Sequence, residues 1–355
     1  MSQRNLPEEI VFEILARLPV KSLLRFRCVC NSWYSYITIP NFISTHLLCH
    51  NHDGGYAVHM PKTTVISPSL CRPHSQICTA ASDRMFETVS EFRIHFTFQF
   101  GYPDFVSSCN GIMCLADYRP FKFKDVYLWN PSIRKFKRLL DTCLTQLCPV
   151  RLGFVYDSQN NDYKFVRISW GCPQLMPPLE VEVYSLSSDL YKRVELGIFD
   201  EGTYITKCVT SFKGKLASLK FGSGVQPQSM LCSIWVMTEY GVLDSWDKLC
   251  VLPIENLADF IGFTKYGLIL IQKRSHLVST NIELERKHKF VLIDPEAPHE
   301  KEISNKVDYC LNVAAYMENL ALLDGANVGM VLCITSDVIT GMDELKPLSC
   351  FFWLQ

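Results

Sequence analysis

The chain has 355 residues, of which 48% are apolar and 20% charged, with a formal net charge of −1; it can bury a sizeable core, and its length suits two domains better than one. So even a charge balance gives no support for nucleic-acid binding, which shows as a basic face or stripe. No run approaches the roughly eighteen apolar residues of a membrane span, and no basic region followed by an apolar stretch marks a signal peptide, so the cytosol or nucleus is the expected location. The sixteen cysteines are scattered, with no Asn-x-Ser/Thr sequon, and fit reduced thiols better than a disulfide framework.

The first helical pattern runs from Pro7 to Leu18, where Ile10, Val11, Ile14, Leu15 and Leu18 recur near the 3.6-residue period and Glu8, Glu9, Glu13 and Arg17 fall largely on the other face. Pro7 suits a first helical turn, Glu8 and Glu9 suit the positive end of the helix dipole, and Pro19 ends the pattern. A second short helix over Val20 to Arg25 passes into a third that carries Phe26, Val29, Trp33 and Ile37. Cys28 and Cys30 on that third helix are expected to be core thiols. The helix is expected to continue through His46 to Leu48 with its histidines facing solvent. About forty residues cannot bury this much apolar side chain internally, so a face holding Leu6, Pro7, Ile10 and Leu23 either meets a partner or docks on the chain's own body. Periodicity leaves both open.

From His50 to Pro73 the chain is rich in Gly, His, Thr, Ser and Pro and reads as a connector leading to early strands. Alternation over Phe92 to Phe98 then predicts a strand. Four hairpins follow: Val126–Trp129 with Phe136–Leu139, Val181–Tyr184 with Tyr191–Val194, Ile234–Met237 with Trp246–Leu249, and Phe290–Ile293 with Glu300–Ile303. Taking Phe136, Tyr191, Trp246 and Glu300 as anchors, the offsets are 191−136 = 55, 246−191 = 55 and 300−246 = 54. A period near fifty residues ending in a hairpin is the expectation for kelch-like propeller blades of four strands. Hairpins in a β-sandwich are the competing explanation. With the Phe92 to Leu115 segment there are about five candidate blades.

Named residues carry a resemblance. Leu6-Pro7-Glu8-Glu9-Ile10, Ile14-Leu15, Leu18-Pro19, Lys21-Ser22-Leu23, Arg25-Phe26-Arg27-Cys28-Val29-Cys30 and Ser32-Trp33 closely resemble the F-box, with Asn31 standing where plant members usually carry Lys. The body resembles the F-box-associated domain of plant F-box proteins in Ser108-Cys109-Asn110-Gly111-Ile112, Leu128-Trp129-Asn130-Pro131-Ser132, Gly153-Phe154-Val155-Tyr156-Asp157, Asp162-Tyr163-Lys164-Phe165-Val166, Val183-Tyr184-Ser185-Leu186, Ile234–Gly241 and Asp244-Ser245-Trp246.

The resemblance implies a substrate-recognition subunit of a Skp-cullin-F-box ubiquitin ligase. The F-box would bind the Skp adaptor, and thereby the cullin and RING assembly, through Leu6, Pro7, Ile10, Leu15, Leu18, Pro19 and Leu23. The β domain would bind an unknown protein substrate. The implied organisation is a three-helix F-box over 1–48, a connector with first strands over 49–84, a kelch-like β-propeller over 85–325 and an unassigned tail over 326–355. Two departures stand out: Tyr191 occupies the place of a usual Trp, and about one blade is missing between Arg193 and Leu231, which predicts a poorly closed β domain. Alternative functions are a protein-binding module independent of the ligase, or a pollen self-incompatibility receptor for ribonucleases.

No catalytic signature competes with this reading. The chain has no Gly-x-Ser-x-Gly elbow, no phosphate-binding Gly-x-x-x-x-Gly-Lys loop and no His-Glu-x-x-His, so a non-catalytic subunit without cofactors is expected. Gly222-Ser223-Gly224 reads as a flexible loop. His46, Cys49, His50, His52, Cys71, His74 and Cys78 have zinc-ligand chemistry but no paired Cys-x-x-Cys spacing, and no metal is expected. Tyr118–Asp125, Trp170–Leu179 and Arg274–Lys289 are the longest loop candidates for a substrate-reading surface.

Overall fold

The computed structural model describes residues 6–50, 56–61, 77–82, 88–94, 98, 103–119, 122–139, 150–169, 180–195, 205–213, 215–223, 229–238, 245–264, 266–274, 288–297, 299–303 and 311–322. The N-terminal module has four helices: α1 (Glu8–Ala16), α2 (Val20–Phe26), α3 (Asn31–Thr38) and α4 (Pro40–His50). This corrects the expected three. Ile39 is extended (φ −72, ψ 143), as a residue before proline tends to be, and Pro40 then opens a new helix. Likewise α2 stops at Phe26, so Cys28 and Cys30 lie in a turn before α3, where both are exposed. They are not core thiols.

The core of this module is Leu15, Ala16, Val20, Leu23, Ile37 and Phe42, with Phe26 and Trp33 packed around it. His46 also points inward, at 1% exposure, contrary to the expectation of solvent-facing histidines. Its Nε2–H donates to the Leu18 carbonyl at 2.9 Å, tying α4 to the end of the α1 turn, and its ring stacks on Phe42. Burial lowers the His46 pKa to about 4, and the bond to Leu18 only partly opposes that shift while nearby His50 adds to it.

A group depressed in the folded state binds more protons when unfolded, so this contribution is complete above the unfolded value of 6.5 and is lost as pH falls toward 4. About 2 kcal/mol should disappear between pH 7 and pH 5. Urea denaturation at both pH values checks this. His46→Gln, which can still donate to Leu18, should show a fall smaller by about that amount, and an identical fall would rule out His46 as the source.

The rest of the described chain forms five antiparallel sheets of four strands, here called blades. Blade I orders its strands β20-β1-β2-β3, from β1 (Tyr56–Pro61), β2 (Ile77–Ser82), β3 (Thr88–Arg93) and the distant β20 (Leu311–Tyr316). Blade II is β4 (Pro103–Cys109), β5 (Ile112–Arg119), β6 (Lys122–Asn130) and β7 (Lys135–Leu139). Blade III is β8 (Val150–Asp157), β9 (Asp162–Ser169), β10 (Glu180–Ser185) and β11 (Leu190–Glu195). Blade IV is β12 (Ile205–Phe212), β13 (Lys215–Ser223), β14 (Ser229–Met237) and β15 (Trp246–Glu255). Blade V is β16 (Leu257–Phe263), β17 (Ile269–Arg274), β18 (His288–Ile293) and β19 (Glu300–Ile303).

The four hairpins read from the sequence are the last two strands of blades II to V. Their anchors pair next to the turn, Phe136 with Trp129 and Tyr191 with Tyr184 on the second rung, and Trp246 with Met237 and Glu300 with Ile293 on the first. The strand expected over Phe92 to Phe98 ends at Arg93, after which Ile94 and Phe98 are buried beside Tyr127 and Trp129. Gly222 and Ser223, expected with Gly224 in a loop, complete β13, and Gly224 lies outside the described residues.

The propeller is therefore one unit short of what the resemblance implies, and residues 193–231 hold the end of β11 and the start of blade IV. The expected open edge is not found among the described residues. Strands β20, β4, β8, β12 and β16 abut in succession around the ring, with β16 returning to β20. Across the axis, the hydroxyls of Ser107 on β4 and Thr210 on β12 lie 3.2 Å apart. The ring closes because β20 pairs with β1 over six residues, from Tyr56 opposite Tyr316 to Pro61 opposite Leu311. Blade I thus draws on residues from both sides of the boundary expected at 85.

Candidate functional site

In each four-stranded blade the first-to-second and third-to-fourth turns share one end of the strands, and the remaining connections leave from the other. In blade I the first-to-second turn is open: the chain arrives there from α4 at Tyr56 and departs there after Tyr316. The helical module consequently sits at the turn end of the ring, over its seam. Ile133 from the β6–β7 turn packs against its core, and Asn161 from the β8–β9 turn donates to the Ser44 hydroxyl at 2.5 Å.

The seam is held by a buried polar knot. Asn130, fully buried, donates through Nδ2 to the side-chain oxygen of Asn319 at 2.6 Å and to the Ala321 carbonyl at 2.8 Å, and its own Oδ1 accepts from the Ser132 amide at 3.0 Å. Asn319 returns bonds to the carbonyl of Asn110 and accepts the Ala321 amide, while Ser132 and Tyr316 share a hydroxyl bond of 2.7 Å. Gly111 (φ 79) lets the β4–β5 turn pass directly beneath this segment: a Cβ there would stand 1.9 Å from the Met317 carbonyl oxygen. From the knot, Leu320 enters the core of the helical module at 0% exposure, and Ala321 and Leu322 enter the core between blades II and III.

The turns of blade III are held similarly. Asp157 accepts the Gln159 and Asn160 amides. Asp162 accepts from Lys164, the Ser185 hydroxyl and the Ser187 amide; burial opposes its ionisation, yet these donors hold its pKa below the usual carboxylate value. The polar residues of the recurrent segments are thus turn and seam fasteners.

The seven residues expected at an adaptor interface divide into three groups. Leu6, Pro7, Ile10 and Pro19 are exposed, and Leu18 is half-buried. Leu15 and Leu23, at 2% and 0% exposure, are taken up by the module's own core and support the face from beneath. Both belong to the buried cluster that also holds Phe42 and Leu320. Ile14, Val29 and Tyr34 are large exposed apolar residues that the expectation left out. The i, i+4 spacing of Ile10 and Ile14 was the available signal for the first of them.

The other candidates are dispersed. His46, Cys49 and His50 share α4, Cys78 lies in β2, and His52, Cys71 and His74 are outside the described residues. Among the described residues no group of three or more His, Cys, Asp or Glu could hold a metal ion. Most of Tyr118–Asp125 is strand, because β5 extends to Arg119 and β6 begins at Lys122. Residues 170–179 and 275–287 are outside the described residues, but the strands they join, β9 with β10 and β17 with β18, are joined at the end away from the helical module.

Comparison with known proteins agrees with this division. Residues 4–45 match the F-box domain and residues 75–220 the F-box associated beta propeller domain. The chain carries an F-box followed by an F-box-associated propeller. An F-box/kelch-repeat protein of Arabidopsis thaliana is 29% identical over 372 residues, covering 90% of this chain and 96% of that one. The F-box protein CPR1 of the same plant is 28% identical over 206 residues, covering 54% of this chain and 45% of its own length. Among solved structures, TolB from Acinetobacter baumannii aligns with 75% of this chain and 60% of its own at 10% identity and a TM-score of 0.38, too loose a likeness to bear on function. The F-box match ends within α4, whose last turn delivers the chain to the propeller seam.

Proposed function

We propose that this chain is the substrate-recognition subunit of a Skp-cullin-F-box ubiquitin ligase, working in the cytosol or nucleus. The observation that carries the reading is the uncovered apolar strip of Leu6, Ile10 and Ile14, at 59%, 46% and 48% exposure, on a helical module whose other side is already occupied by the propeller. Such a strip on an F-box is the chemistry a Skp-type adaptor needs. Its burial at about 25 cal/mol per Å2 of apolar surface would supply much of the binding energy.

The division of labour is spatial. The turn end of the propeller carries the F-box, while the longer connections of blades III and V leave from the far end, where a protein target can be held clear of the adaptor. Ubiquitin transfer then follows from proximity of the bound target to the conjugating enzyme, and this chain contributes no catalytic group. Co-expression with a Skp-type adaptor and a cullin tests the reading. A stable ternary assembly is expected. A chain that still captures a protein partner but never assembles with the cullin would overturn it in favour of a ligase-independent binding module.

A further inference from the structure

The core of the F-box is not completed by the F-box. Its seventh buried apolar member is Leu320, which along the chain is separated from the nearest F-box helix by the entire propeller and follows soon after the strand that closes the ring. We infer that Met317–Leu322 is a positioning staple, through which the F-box attains its docking-competent fold only on a closed propeller.

Three independent observations support the assignment. The staple is clamped on both sides: Asn319 and Ala321 are bonded to the two turns of blade II through Asn110, Asn130 and Ser132. Its side chains diverge, Leu320 into the F-box and Ala321 with Leu322 into the blade II and III core, so one short segment spans both cores. Finally, Leu322 has φ 71, a left-handed conformation that is costly for a branched residue and persists only where the surroundings over-determine it. Leu15 and Leu23 underlie the exposed strip and share a core with Leu320. Loss of the staple therefore removes support from the docking face without touching it.

Coupling of this kind is reciprocal: whatever the closed ring contributes to adaptor binding, adaptor binding must return to the closed ring. The adaptor part of this inference rests on the proposed ligase function, whereas the dependence of the F-box fold on the staple does not.

The test uses the full chain and the graded series Leu320→Met, Leu320→Val and Leu320→Ala, read by amide hydrogen exchange and by titration with a Skp-type adaptor. Exchange in α1 and α4 should accelerate progressively, by roughly tenfold or more in Leu320→Ala, while blades III and IV keep their protection; adaptor affinity should weaken in the same order, with Leu320→Met near the parent. In the parent chain, adding adaptor should slow exchange of β1 and β20. Unchanged exchange in α1 and α4, or equal loss across F-box and blades in even the valine variant, would overturn the staple. If the parent fails to bind any adaptor, the ligase reading falls while the exchange series still decides the staple.

Discussion

A Gly111→Ala variant should open the propeller at its seam. The added Cβ meets a backbone oxygen, that of Met317, at 1.9 Å, and Cβ contacts under about 3 Å do not occur in relaxed structures. Met317 cannot yield cheaply, because Asn319 two residues on is bonded to the Asn110 carbonyl of the same turn and to Asn130. The positive φ of 79 adds the cost of a left-handed non-glycine residue. Together these should destabilise the protein by about 3–5 kcal/mol, a large part of the usual 5–15 kcal/mol of a folded domain. Urea denaturation followed by tryptophan fluorescence is a suitable measurement, since buried Trp129 packs in the cluster that holds Tyr316. Gly267→Ala is the control. It shares a positive φ of 81, but the nearest atom to its added Cβ is Cε of Lys213, the far end of a flexible side chain. It should cost only about 1–2 kcal/mol. Equal losses for the two variants would show that the seam is no weaker than any other turn.

The second large effect concerns binding without folding. In Leu6→Asp/Ile10→Asp, both altered side chains are roughly half or more exposed, so stability should change by less than about 0.5 kcal/mol. Adaptor affinity should fall by at least about a hundredfold, because two apolar anchors are lost and two charges must be desolvated at the interface. Leu15→Ala should behave oppositely. Its side chain is 2% exposed, so the variant should lose about 2–5 kcal/mol of stability, with weaker adaptor binding only as a consequence. Isothermal titration beside thermal denaturation separates the two patterns. Undiminished adaptor binding by the double aspartate variant would place the docking face elsewhere.

Much of this architecture was legible because it is local. The hairpin of Val126–Trp129 with Phe136–Leu139 announces itself through alternation on both sides of a turn, and its neighbours repeat it at nearly constant spacing, so four blades show themselves within short windows. Closure does not. Leu311–Tyr316 pairs with Tyr56–Pro61 across some two hundred and fifty residues, and no local pattern encodes a partner at that distance. Asn130 was recognisable within a recurrent segment, but its bond to Asn319 could not be read from either residue alone. The exposed apolar strip was half legible for a related reason: periodicity sorts Leu15 and Leu18 onto the apolar side of the first helical pattern but cannot tell which of them the cluster with Phe42 and Leu320 will cover. Cys28 and Cys30 were misplaced by one boundary, since carrying the helix unbroken past Phe26 turns an exposed turn into a buried face.

The open turn of blade I has a consequence for how such chains can change over generations. Among the described residues, the contacts that mount the F-box on the ring come from the seam and from the turns of blades II and III. A duplication or loss of a whole blade between Arg193 and Ile303, outside these contacts, leaves that mount intact and asks only that the remaining inner strands meet at a new angle. Blade number can therefore drift while the mount of the F-box stays fixed, and the end of the propeller away from the F-box can be remodelled by whole sectors.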